Sequence, residues 1–495
     1  MGPVRPLAAR VLPANAGAGR ADPLRRRFLR LAWAVPLAGI LPMVMALAFP
    51  ALFRGKDVEL ALVAGGTFFV AWIAMHMARG DKQLDVFEPV VLIFALHAIF
   101  FPIRTLLGIA FNDRLLYDSR DATVVALLAS LLGFASFAAG CRVRVGASFT
   151  RMAERFRGDW NLRRASLVAF ALLGLSAANW AALWFLTGSV YSLLLIGPAS
   201  QFRWDQFPAW YFYLLWGTLL AQAGAIFHLV LWLRYRRQPV FTLLFCVVGL
   251  LASFLISRLA VSIFLMLVLL LFHYLRRRLS YRWLALASLV LMLYLSIAGM
   301  ARSTLSLQYS NEMTGWSMVR SRSGWTDLSR IYLVQGFDNF WWLGSILERV
   351  PADMPHQYGA TFLPALAKPI PRALWPQKPL GAAAVYSREL FPALLDQGFV
   401  AGVTALGEWY LNFSWPGIVV GMFLMGVLAS AGHSIVRRAP GPGSVLPYGA
   451  LLVGLVLWYR NEFNIGVTWF LYYLIPFVIG LWFIVPPPGR SLTRR

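Results

Sequence analysis

Two cysteines in 495 residues, Cys141 and Cys246, leave no material for a disulfide framework or a thiolate metal site. Each falls inside a different apolar run, where a thiol packs as a small apolar side chain. Acidic residues are scarce as well, 21 against 45 Lys and Arg, and no D-x-D triplet occurs. The usual carboxylate pair for a metal-held diphosphate is therefore missing, and the chain is expected to work without metal or cofactor. No H-E-x-x-H, G-x-S-x-G, P-loop or dinucleotide glycine pattern is present, which argues against a zinc protease, a serine hydrolase or a nucleotide-driven pump. There is also no internal repeat of fixed period.

What the chain has instead is apolar length. Hydrophobic residues make up 59% and charged residues 13%, and the mean hydropathy is +0.65, far from the balance of a soluble enzyme. Runs of about 20 apolar residues, each able to cross roughly 30 Å of hydrocarbon as a helix, recur along the chain. The reading is an all-α polytopic membrane protein with about 12 spans. They are placed at 31–53, 58–78, 86–111, 121–141, 165–187, 209–233, 239–257, 259–275, 283–300, 415–435, 445–459 and 466–485, the seventh and eighth forming a tight hairpin.

Lys and Arg are retained on the cytoplasmic side of a membrane. The clusters RRRFLR (25–30), RVRV (142–145), RMAERFR (151–157), RYRR (234–237), RRRLSYR (276–282) and RR (437–438) all fall on one side of this alternation. Both termini are accordingly assigned to the cytoplasm. Residues 1–30 read as a basic cytoplasmic tail, since the apolar run that follows is too long for a signal peptide and more spans come after it. Spans one to nine occupy 31–300, a large external loop 301–402, the last three spans 403–485, and a short cytoplasmic tail 486–495. The net charge of +24 is this topology signal plus attraction to anionic membrane lipids, and does not point to nucleic acid.

The long loop carries the chemistry-bearing pattern. WTDLSRIYLVQGFDNFWWLGSILERVP (325–351) has helical apolar spacing with Pro351 as its stop. Its aromatic residues, Phe340, Trp341 and Trp342 among them, suit a helix lying at headgroup level. KPIPRALWPQKP (368–379) follows, and its prolines pre-order an extended or turned backbone. That strut would hold Lys368, Arg372 and Lys378 near the interface, with Trp375 offering a flat face to a sugar or lipid tail. An arginine fork held there can clamp a phosphate through two parallel charge-assisted hydrogen bonds.

The segment YGATFLPALAKPIPRALWPQKP (358–379), followed by GEWYLNFSWPG (407–417), resembles the Wzy-type O-antigen and oligosaccharide repeat-unit polymerases. The family pairs a PR-LWP-KP segment with a GE-Y-NF-G segment. Here Ser414 follows Phe413 where many members have glycine, which leaves the local turn open. The resemblance spans residues 300–435. It implies a GT-C-like membrane glycosyltransferase in the bacterial inner membrane, acting at the periplasmic face on undecaprenyl-diphosphate-linked oligosaccharides, with a chain-length regulator as a candidate protein partner. An O-antigen ligase is the nearest alternative, and a lipid-linked oligosaccharide transporter the next.

Such chemistry needs cations around a diphosphate leaving group. Arg258 at the hairpin tip and Arg372 are the first candidates for that role, with Arg302, Arg330 and Arg460 completing a basic ring and Lys378, Trp375 and His356 as further substrate contacts. For accepting the acceptor hydroxyl's proton, Glu408 ranks first and Asp327 second. His356 is an alternative base. His76, His97, His228, His273 and His433 are scattered singly over the spans and read as hydrogen-bonded core histidines.

Overall fold

The computed structural model describes residues 55–79, 85–110, 120–143, 156, 158–187, 209–276, 279, 339–368, 370, 374–375, 377–396 and 400–485. Among them every regular element is helical. Eight helices are long and apolar enough to cross a membrane, because in hydrocarbon each backbone N–H and C=O must find its partner within the segment. The chain enters with α1 (Gly55–Arg79), α2 (Pro89–Ala110), α3 (Arg120–Cys141) and α4 (Leu162–Thr187). Next come α5 (Ala209–Thr218) and α6 (Leu220–Tyr235), then α7 (Pro239–Ile256) and α8 (Arg258–Leu275). The last set is α9 (Asn339–Arg349), α10 (Ala382–Leu390), α11 (Ala405–Arg438), α12 (Pro442–Arg460) and α13 (Phe463–Ile484). The expected spans at 31–53 and 283–300 lie outside the described residues.

The hairpin expected at 239–275 is present as α7 and α8, joined through Ser257 alone. Its backbone is extended and its hydroxyl accepts the N–H of Ala260, capping α8. Gln222 of α6 donates to Ser253 and, at 3.1 Å, to the Ala260 carbonyl, so one buried amide ties α6 to both arms of the hairpin. α2 contains a π-helical turn, Ile99–Ile103, around Pro102. A proline that cannot donate to the helix ladder accounts for that local widening.

Apolar side chains fill two packed groups. One unites α1, α2, α3, α9 and α11; the other unites α4, α6, α7, α8, α12 and α13. Helices gain little from apolar contact when lipid is equally apolar, so close backbone approach has to supply the attraction. The crossing of α3 and α11 is built that way. Gly140 lies against the Phe423 carbonyl and Gly426 against the Phe137 carbonyl, each where a Cβ would collide.

One expectation needs correction. Phe340, expected among the aromatic side chains this helix turns to the headgroups, is instead fully buried, because α9 docks the stripe Phe340, Leu343 and Ile346 onto the bundle and leaves Trp341 and Trp342 half-buried. The tenth span, expected from residue 415, starts there: α11 joins two helical stretches across non-helical backbone at Phe413 and Ser414, and the first stretch begins at Ala405, where Thr404 caps it by accepting the Gly407 N–H at 3.1 Å. Residues 407–412 are thus the first turns of that helix. A break follows at Phe413 and Ser414.

The histidines are also less scattered than their sequence positions suggest. His97 shares a hydrogen bond with Tyr459 (3.1 Å), and His228 reaches Thr242 (2.9 Å) and Gln238 (3.1 Å), as core histidines should. His273 and His433 instead converge on one carboxylate, Asp85, at 3.2 and 3.7 Å.

Candidate functional site

The break in α11 organises the site. Pro416 has no N–H to give to the carbonyl four residues earlier, Asn412, and the distorted Phe413–Ser414 backbone frees the Leu411 carbonyl as well. Both are taken by the loop. Gln357 N donates to Leu411 O (2.9 Å) and Tyr358 N to Asn412 O (3.3 Å), so the loop strand docks on the helix at its weakest point. Side chains then lock the register. Asn412 Nδ2 donates to Thr361 Oγ1 (2.7 Å) and to Glu408 O (2.8 Å), while its Oδ1 accepts Gly359 N (2.7 Å). Gly359 sits at φ 91, a left-handed turn that glycine adopts at no steric cost.

Glu408 lies at the centre and is fully buried. One carboxylate oxygen accepts Thr361 Oγ1 at 3.2 Å and the other accepts Phe463 N at 2.6 Å, the first residue of α13. It thereby fastens three parts of the chain: the loop, the start of α11 and the start of α13. The neighbouring carboxylate, Glu462, accepts Ala383 N at 2.7 Å and caps α10, the helix that follows the proline-rich segment. Burial pushes the Glu462 carboxyl above its ordinary value, against the Ala383 N–H, Asn464 and the charge of Lys368, which pull it down.

The remaining sequence candidates divide by position. His356 Nδ1 lies 3.3 Å from Leu411 O and its ring packs 5.9 Å from Tyr410, on the same end of α11 as Glu408. Lys378 Nζ donates to Ile370 O (3.1 Å) and Lys368 O (3.4 Å), folding the strut back on itself. Trp375 is exposed beside it. Arg460 ends α12, its guanidinium 5.9 Å from the Phe100 ring and its carbonyl accepting Asn339 Nδ2 at 2.9 Å. The first residue of α8 is Arg258, at the expected hairpin tip, but its side chain lies outside the described residues, as do Arg302, Asp327, Arg330 and Arg372. Among the described residues no group of His, Cys, Asp or Glu is arranged to hold a metal ion.

Two participants escaped sequence reasoning, as did one buried arginine elsewhere in the bundle. Thr361 and Asn412 stand inside the quoted motifs but carry no charge to draw attention. Arg104, fully buried with its guanidinium 4.7 Å from the Phe340 ring, was legible in principle, since an arginine inside the apolar run AIFFPIRTLLGIAF is costly without compensation.

No family model, curated protein or solved structure matches this chain.

Proposed function

We propose that this chain is a polymerase of lipid-diphosphate-linked oligosaccharide repeat units. The observation that carries the reading is a tie between the two regions of the resemblance. Residues 357–361, which lead into the proline-rich segment, and residues 408–412 of the second motif, far apart in sequence, form one hydrogen-bonded unit at one end of the bundle.

In the proposed reaction the hydroxyl oxygen of the incoming repeat unit's non-reducing sugar attacks the anomeric carbon of the growing chain. The anomeric carbon–oxygen bond to the diphosphate breaks, and undecaprenyl diphosphate leaves with the electron pair. The released proton passes to the leaving diphosphate or to water. Fixed cations supply the stabilisation of developing charge. That role belongs to Arg372 and Arg258, with Arg302, Arg330 and Arg460 around them. Glu408, both of whose oxygens are taken by protein donors, acts as a positioning residue that presents the proline-rich segment. A twelve-span, GT-C-like layout in the bacterial inner membrane, both termini cytoplasmic and the site periplasmic, belongs to the same proposal.

The test is the purified protein with lipid-linked repeat units in detergent. A ladder of products differing by one repeat supports the polymerase. Transfer of a single chain onto a lipid A core, with no ladder, makes it a ligase, and no transfer at all with either acceptor overturns the glycosyltransferase reading.

A further inference from the structure

The loop segment that follows the Gly359 turn is folded with its apolar side outward. Leu366 is 76% exposed and Leu374 79%, and Leu363 and Ile370 are exposed as well, whereas Thr361 (1%) and Ala365 (5%) are buried. A segment folded for water would reverse this pattern, burying leucine and exposing threonine. Here the polar groups Thr361, Asn412 and Glu408 form the interior, and four large aliphatic side chains form the outside.

That ridge does not stand alone. Phe362 bridges it to α11, with its ring 4.8 Å from Trp409 and 6.5 Å from Phe413. Below the break, α11 presents Val420, Leu424 and Leu428 outward along one face of an apolar helix long enough to span a membrane. The ridge therefore continues the surface on which α11 meets lipid. Cations accompany it as they would at a headgroup boundary: Lys368 is exposed between Leu366 and Ile370, and Lys378 folds back beside them.

We infer that Leu363, Leu366, Ile370 and Leu374 form a membrane-inserted ridge whose side chains enter the acyl region of the leaflet at that end of the bundle, with Lys368 and Lys378 at the phosphate level. The occupant of this surface is bilayer lipid. This inference rests on the membrane-spanning character of the helices and is independent of the polymerase reading. It gives the proline-rich segment a second task besides holding cations, namely keeping a site against the bilayer, where a lipid-anchored ligand arrives laterally.

The experiment uses the full chain in lipid nanodiscs with Cys141 and Cys246 replaced by serine, and one new cysteine in each variant carrying a thiol-reactive fluorophore. The positions are Leu366→Cys and Leu374→Cys on the ridge, Leu424→Cys as a lipid-facing reference and Arg388→Cys as a water-facing one. Aqueous iodide and a lipid with a nitroxide near its headgroup serve as quenchers. The ridge labels are expected to follow the Leu424→Cys label, losing iodide quenching and gaining nitroxide quenching, while the Arg388→Cys label does the opposite. Ridge labels that behave like the Arg388→Cys label place the segment in water and overturn the inference. Labels shielded from both quenchers show that protein covers the ridge, a second copy included, and overturn it equally. Ile370→Cys repeats the measurement at a third ridge position should either leucine variant fail to insert.

Discussion

The two ends of the helical bundle are held by carboxylates of opposite character. Helix α12, 19 residues long and therefore about 28 Å at 1.5 Å per residue, separates them. At its start, Tyr448 donates to the Phe87 carbonyl and packs against Tyr274 and His433. There Asp85 gathers three side chains, His273, His433 and Tyr274, whose hydroxyl lies at 2.8 Å, beside the backbone N–H of Phe87 at 3.0 Å. Burial works to raise the Asp85 carboxyl, but these hydrogen bonds and the His273 charge outweigh it and hold the group well below its ordinary value. At the far end of α12, Glu408 and Glu462 each take a backbone N–H at a helix start, those of Phe463 and Ala383. The first arrangement ties helices to one another. The second ties a loop to helix ends, which is what a site built on a loop requires.

The largest expected effect tests that second tie. Glu408→Ala strands the Phe463 N–H and the Thr361 hydroxyl in a buried site and should cost about 3 kcal/mol. Thermal unfolding in detergent measures it. A loss no greater than that of an exposed-site control such as Glu389→Ala would show that the tie contributes nothing.

Asp85→Asn comes next, at about 2 kcal/mol, and carries a pH signature. A carboxyl held below its ordinary value contributes in full above the ordinary aspartate range and loses that contribution only as pH falls through its folded-state value. The gap between wild type and Asp85→Asn should therefore begin to close only below about pH 4. A gap that narrows above that range would mean Asp85 is not held low.

Glu462 should behave in the opposite sense and more weakly. Its raised carboxyl favours the folded state fully below the ordinary glutamate range, and that contribution is lost as pH rises through the folded-state value. Glu462→Gln lacks this titration, so the wild type should weaken relative to the variant as pH climbs toward neutrality. Unfolding midpoints in parallel pH series check the crossing, and parallel curves would remove the contrast between the ends.

Much of the fold was legible because hydropathy and length decide where a helix can cross a membrane, and eight of the expected spans are long apolar helices. The hairpin at Ser257 was legible from one polar interruption in an apolar stretch. The site was legible only in its charged members. Glu408 was found, but its partners Thr361 and Asn412 have neutral side chains whose role depends on Pro416 releasing the Asn412 carbonyl. The convergence of His273 and His433 on Asp85 joins three distant segments, and no local pattern encodes it. The departure at Ser414 resolves into a backbone observation: φ 57 and ψ −152 is a conformation that belongs almost entirely to glycine. Ser414→Gly is thus the smallest of the expected effects, a stabilisation of about 1 kcal/mol read as a higher unfolding midpoint, and an unchanged or lower midpoint would contradict the strained turn.

The proposed reaction divides the labour: the buried carboxylate positions, and the loop arginine stabilises the leaving diphosphate. Product ladders from Glu408→Gln and Arg372→Lys, compared at equal amounts of folded protein, test it most directly. Glutamine keeps an acceptor for the Phe463 N–H and turns its amide toward Thr361 Oγ1, so Glu408→Gln should polymerise close to wild type. Arg372→Lys keeps the charge but loses the bidentate fork, and its ladder should shrink by on the order of tenfold. A folded Glu408→Gln that makes no ladder, beside an Arg372→Lys that makes a full one, would move the chemistry onto the carboxylate and contradict the account.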